Sequence, residues 1–231
     1  MASKTQRNIN MDLKNWRNNW YYLGGILFVG LAYYIGFFGN DLPVPQKIMI
    51  LSFMGLLAHQ FEEYAIPGGF PPMWNIVFNG EKEAPDRFPL NKQSSFFVNV
   101  VGAYSFYIIA ICFPQWYWYG ITISVFGFTQ FIIHGIMFPI KWKSFYNPGL
   151  ATVISIFVPI GIYYLWFIHS YCQVQPWEWW VGVFSTPVVA LLIIQLPIIV
   201  FKSKTSPFPF TQEEMKKFNV QDKLSRLSKK A

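Results

Sequence analysis

The sequence predicts an all-α, polytopic membrane helix bundle of about six transmembrane helices, and three observations carry that reading. Of 231 residues, 53% are hydrophobic and 20% aromatic but only 13% charged, a balance that soluble domains of this size rarely show. Apolar stretches recur at about 20–38, 48–66, 95–113, 117–138, 149–170 and 179–201, each near the ~20 residues that cross a hydrocarbon core of about 30 Å. The basic residues are sorted by loop. Four of the eighteen Lys and Arg precede the first stretch, three separate the second from the third, two are Lys141 and Lys143, eight follow residue 201, and only Lys47 falls on the opposite side. The positive-inside rule then places an integral membrane domain with both termini in the cytoplasm. The net charge of +7 is mostly topological, and no nucleic-acid partner is expected.

Taken in order, residues 1–19 read as a polar interfacial arm, with Trp16 and Trp20 at headgroup depth. The first span has no cleavage signature and is expected as a retained helix; Gly24, Gly25, Gly30, Gly36 and Gly39 suit close approach of a neighbour or are simply tolerated there. Pro43 and Pro45 break the chain before span two, which ends at Pro67-Gly68-Gly69. The loop that follows is long and rich in Pro, Gly and aromatics, so part of it is expected to re-enter or to lie on the cytoplasmic interface. Span five starts after Tyr146-Asn147-Pro148-Gly149, and span six is expected to bend at Pro187 and Pro197. Residues 20–201 form one membrane domain and 202–231 a basic tail. In that tail Thr211 and Glu214 fit a capping box, and Val220, Leu224 and Leu227 share one apolar face, as in a surface helix drawn to anionic lipid. Cys112 and Cys172 fit either a disulfide or two buried free thiols, and make no metal motif.

The polar exception is His59-Gln60-Phe61-Glu62-Glu63 at the end of span two. On a helix, positions 59, 62 and 63 share a face, and ionisable groups in a membrane segment are costly unless paired or liganded. Helix rise puts Glu62, Asn99 on span three and His134 on span four at one level, about 5–10 Å inside the cytoplasmic boundary. His59, Glu62, Glu63 and His134 are therefore candidate metal ligands for zinc or iron, with Glu62, Glu63 and Asn99 as candidate catalytic groups. A hydrogen-bonded network that only pins helices is the plain alternative. Adjacent glutamates point about 100° apart, so one is expected to bind metal and the other to face substrate or water, with spacing unable to say which. His169 lies near the outer end of span five and reads as interfacial, and Glu178 as solvated.

The chain resembles the HXXEE-domain family of small multi-pass membrane proteins, on His59-Gln60-Phe61-Glu62-Glu63-Tyr64, Pro67-Gly68-Gly69-Phe70, Asn99, His134 and Tyr146-Asn147-Pro148-Gly149. That resemblance implies a membrane domain with a polar or metal site and supplies no substrate. From the residues, the leading expectation is a metal-dependent enzyme, hydrolase or oxygenase in type, acting on a lipid or other hydrophobic substrate. Metal-free acid/base isomerisation or cyclisation of an isoprenoid- or sterol-like substrate is the runner-up. A non-enzymatic ion carrier or proton-coupled transporter comes third, because transport sites tend to lie nearer the midplane.

Overall fold

The computed structural model describes the backbone of residues 4–228 and the side chains of 15–225, with no strand among them. Helices α1 (Lys4–Phe38), α2 (Val44–Tyr64), α3 (Phe70–Asn79), α4 (Lys92–Cys112), α5 (Tyr117–Trp142), α6 (Leu150–Tyr171) and α7 (Pro176–Phe201) are followed by two tail helices, α8 (Gln212–Lys216) and α9 (Val220–Ser228). Among the described residues, five segments are long and apolar enough to cross a membrane: Asn15–Asp41, α4, α5, α6 and α7. The expected second span, α2, is outside those five. Its 21 residues reach roughly 31 Å at the helical rise, but its last third holds His59, Gln60, Glu62 and Glu63, which lower its hydropathy.

Those residues are also why α2 sits in the middle. It packs against α1, α4 and α6, and its Ile48, Met49, Phe53, Leu56 and Leu57 join Tyr107, Ile121, Val153 and Phe157 in the main core. Lipid would tolerate its apolar faces, but the turn of His59, Gln60, Glu62 and Glu63 is buried, and enclosure by the other helices shields those polar groups from hydrocarbon. Among the helices around it, four π-helical turns interrupt regular winding: Phe97–Tyr104 in α4, Ile132–Met137 in α5, Val153–Phe157 in α6 and Leu191–Gln195 in α7.

A second, smaller core caps one end of the bundle. Phe70, Met73 and Ile76 of α3 meet Phe138 and Trp142 of α5, Ile198 of α7, and Phe210, Met215 and Val220 of the tail. The long loop thus forms a helix begun at left-handed Gly69, carrying Pro71 and Pro72 in its first turn and ended at left-handed Gly80. The tail is tied down by Lys92–Glu214 (2.9 Å) and Lys204–Glu83 (2.6 Å). Lys217 Nζ donates to the carbonyls of Tyr64 (3.0 Å) and Ala65 (2.8 Å), capping the end of α2; burial lowers its pKa.

Several expectations change accordingly. The arm 1–19 continues into α1 as one helix from Lys4. Trp20 is 3% exposed and packs on Tyr64 at 4.8 Å between rings, so it is covered by protein, while Trp16 is exposed. The tail face at Val220 and Leu224 is covered by protein instead of lipid, and Leu227 lies outside the described side chains. Glu178 is buried and forms a capping box with Gln175. Cys112 and Cys172 are free thiols, exposed and half-buried. Gly24 approaches Tyr104 and Leu57, and Gly25 approaches Phe61, whereas Gly30 and Gly36 meet nothing.

Candidate metal centre

One turn of α2 aims His59 and Glu63 at His134, which the π turn of α5 carries inward. All three are buried, His134 completely. Glu63 Oε1 lies 3.5 Å from His59 Nε2 and 3.4 Å from His134 Nε2, and the three candidate ligand atoms lie within 4.8 Å of one another. Tetrahedral coordination at ~2.0–2.1 Å would space neighbouring ligand atoms about 3.3–3.4 Å apart. Small side-chain shifts would close this triangle on an ion.

The other ring nitrogens fix the tautomers. Asn147 Nδ2 donates to the His134 carbonyl (2.6 Å), so its Oδ1 must accept from His134 Nδ1–H (2.7 Å). Thr152 Oγ1 donates to the Glu62 carboxylate (2.6 Å), which can only accept, and so takes the Nδ1–H of His59 at 2.9 Å. In their neutral form both imidazoles therefore present Nε2 lone pairs to a carboxylate oxygen, and His134 Nε2 has no hydrogen-bond partner. Three lone-pair donors facing each other repel unless a cation lies among them. That cation is either a metal ion or an added proton.

Glu62 is not in this triangle. Its Oε1 accepts from Tyr146 (2.7 Å) and the Ala151 amide (3.1 Å), and its Oε2 from the Thr152 amide (2.9 Å) and hydroxyl. It therefore caps the first turn of α6 from another helix and sets the hydroxyl that holds His59. Burial, then the adjacent carboxylate, keep the Tyr146 phenol above its ordinary pKa, so it stays a donor. Asn99 is likewise committed. Its amide donates to Tyr64 (3.0 Å) and the Ser95 carbonyl (2.9 Å) and accepts from Gln60 (3.1 Å), although its side chain also lines the adjoining cavity. His169 lies on the exposed surface against Trp179.

Two further residues shape the triangle. Gly149 has φ +106°, and a Cβ there would run into His134 and His59, meeting His134 Nδ1 at 2.7 Å and His59 Cε1 at 2.8 Å. Only glycine meets both the backbone and the space requirement. Phe70, the first residue of α3, stacks on His134 at 4.5 Å. A cavity of about 100 Å³ adjoins the group, walled by His59 and Glu63 at one side and otherwise mostly by apolar side chains such as Leu56, Phe126, Phe157 and Ile198.

The motif residues and their partners can now be set against known proteins. The family model described as "Protein of unknown function with HXXEE motif" matches residues 50–164. The chain belongs to the HXXEE family. No curated protein and no solved structure matches it. In this HXXEE chain the matched range holds every member of the triangle and its supports: His59, Glu62, Glu63, His134, Asn147, Gly149 and Thr152. Sequence reasoning assigned no role to Tyr146, Asn147, Gly149 or Thr152. The Tyr-Asn-Pro-Gly run marks a sharp turn and carries part of the family resemblance without giving its residues a role, and Thr152 resembles any hydroxyl in a membrane helix. Their signal is the pairing across helices, which appears only in three dimensions.

Proposed function

We propose that this HXXEE protein is a metal-dependent membrane enzyme acting on a hydrophobic substrate, with His59, Glu63 and His134 holding zinc or ferrous iron. The observation that carries this reading is the convergence of three lone-pair donors at the wall of an apolar cavity. Three protein ligands and an open position are the pattern of catalytic sites, whereas structural zinc sites are closed by four. Two histidines and one carboxylate suit zinc and ferrous iron alike. When bound, the ion would supply a Lewis acid or a redox centre beside the cavity. The residues around it divide the work: Asn147 and Thr152 orient the imidazoles, Glu62 orients Thr152, and Tyr64 and Asn99 give the cavity a polar wall. In this reading the two glutamates are a ligand and a positioning residue, not a ligand and a base.

Hydrolysis and oxygenation both fall within this class: oxygenation adds the mass of oxygen to the substrate, and hydrolysis splits it into two fragments that together carry one added water. The test compares lipids extracted from cells overproducing the wild type with those from cells overproducing Glu63→Gln, by untargeted mass spectrometry. Lipids heavier by the mass of oxygen, or pairs of fragments whose masses sum to a parent lipid plus water, should accumulate only with the wild type. Identical lipid profiles, with both proteins present in the membrane, would remove the enzyme reading.

A further inference from the structure

The cavity has a second end. From His59 and Glu63 its wall reaches Gln130 and Ile133 on α5 and Ile193 and Ile194 on α7. Those four are half-buried, while Phe131 and Ile132 beside them on α5, and Leu191 and Leu192 on α7, are exposed. Exposed apolar residues on a membrane helix face lipid, so this end of the cavity meets the bilayer and not water. The path of α7 explains the opening. Its outer half is fastened to α5: a Cβ at Gly182 would lie 2.6 Å from Ile121, and Thr122 and Ser185 share a hydroxyl hydrogen bond of 2.7 Å. Its inner half is fastened to α4 instead: a Cβ at Gly102 would lie 2.8 Å from Ile193, Phe97 and Phe201 rings are 4.7 Å apart, and Asn91 donates to the Phe201 carbonyl at 2.9 Å. Pro187 and the π turn Leu191–Gln195 fall where the helix changes partner. Beside the triangle, α7 has left α5 and crossed to α4.

Size and depth then restrict what enters. A cavity near 150 Å³ accommodates benzene, so about 100 Å³ takes roughly four or five carbon-sized atoms and no more. A whole lipid does not fit. His59, Glu63, Asn99 and His134 all lie within roughly 12 Å, along their own helices, of the capped end of the bundle. At that level a membrane amphiphile presents its polar group and the first carbons of its chain, not its terminal methyl.

We infer that the substrate is a long-chain amphiphile of the bilayer that enters sideways between α5 and α7. It places the polar end of one chain, with its first few carbons, against the triangle, while the rest of the chain stays in the membrane. This rests on the enzyme reading for the word substrate, but the lateral site itself is testable without turnover. Purified protein in liposomes is irradiated with one of two long-chain fatty alcohols, one carrying a diazirine beside the hydroxyl and the other at the methyl end. The hydroxyl-end probe should label peptides containing Val98, Ile133 or Ile193. The methyl-end probe should label only outward faces such as Val183 and Val188. Ile194→Trp, which fills the mouth, should lose the cavity labelling while its metal content, measured on the same sample, stays at the wild-type level. Equal cavity labelling by both probes, or labelling undiminished in Ile194→Trp, would overturn the inference. Cavity labelling as expected in a metal-free protein would support the lateral site and count against the enzyme reading alone.

Discussion

At the scale of single residues, the two glutamates of the motif differ in what they touch, and the difference gives a quantitative expectation. Replacing Glu62 by Gln puts an amide where four donors converge, from Tyr146, the Ala151 and Thr152 amides and the Thr152 hydroxyl. At least one donor loses its acceptor, at a cost of about 1–3 kcal/mol, and Thr152 no longer has to accept from His59. Metal affinity should fall by roughly 10–100-fold, as for other groups that orient ligands from behind, and a metal titration of the purified variant measures it. Unchanged affinity would mean that Glu62 supports only the fold of α6. Spacing within the motif already set His59 and Glu63 on one face, and helix depth pointed to His134. Glu62 was harder, because position i+3 is nearly as close in azimuth as i+4, and only its partners on α6 separate the two roles.

At the scale of elements, the apolar stretches of the sequence map onto the long helices because a bilayer fixes their length. The π turns were not legible, since one extra residue in a helix leaves no mark in composition. Yet Asn99 and His134 lie within two of them, and Ile193 and Ile194 within a third, so they turn the side chains that build the site and its mouth. The docked tail was equally hidden. Lys217 reads as one more basic residue, but its ammonium caps the end of α2 just after Glu63, its side chain packs against Gly68 and its backbone against Gly69. Lys217→Ala should free those carbonyls and loosen the turn held by Ala65, Ile66 and Gly68 amides on Phe61 and Glu62. Amide hydrogen exchange should then speed up at Ala65, Ile66 and Gly68 and not in the middle of α2. Uniform exchange throughout would show that the latch does not hold this turn.

At the scale of the molecule, one end of the bundle gathers α1 near Arg17 and Trp20, the end of α2, the start of α4 and the tail, through Arg17–Gln93, Trp20–Tyr64 and Lys92–Glu214. The Lys and Arg residues concentrate at that same end, so a reporter fused after residue 231 should behave as cytoplasmic, and an exported reporter would reverse the orientation. The whole account turns on what occupies the space between His59, Glu63 and His134, where two bare nitrogens face a carboxylate. Elemental analysis of detergent-purified protein, made without chelator, addresses that directly. The wild type should carry a single zinc or iron per chain, and folded Glu63→Gln none. A folded wild type without metal, or a Glu63→Gln variant that keeps it, would contradict the account and leave a proton as the cation in that triangle.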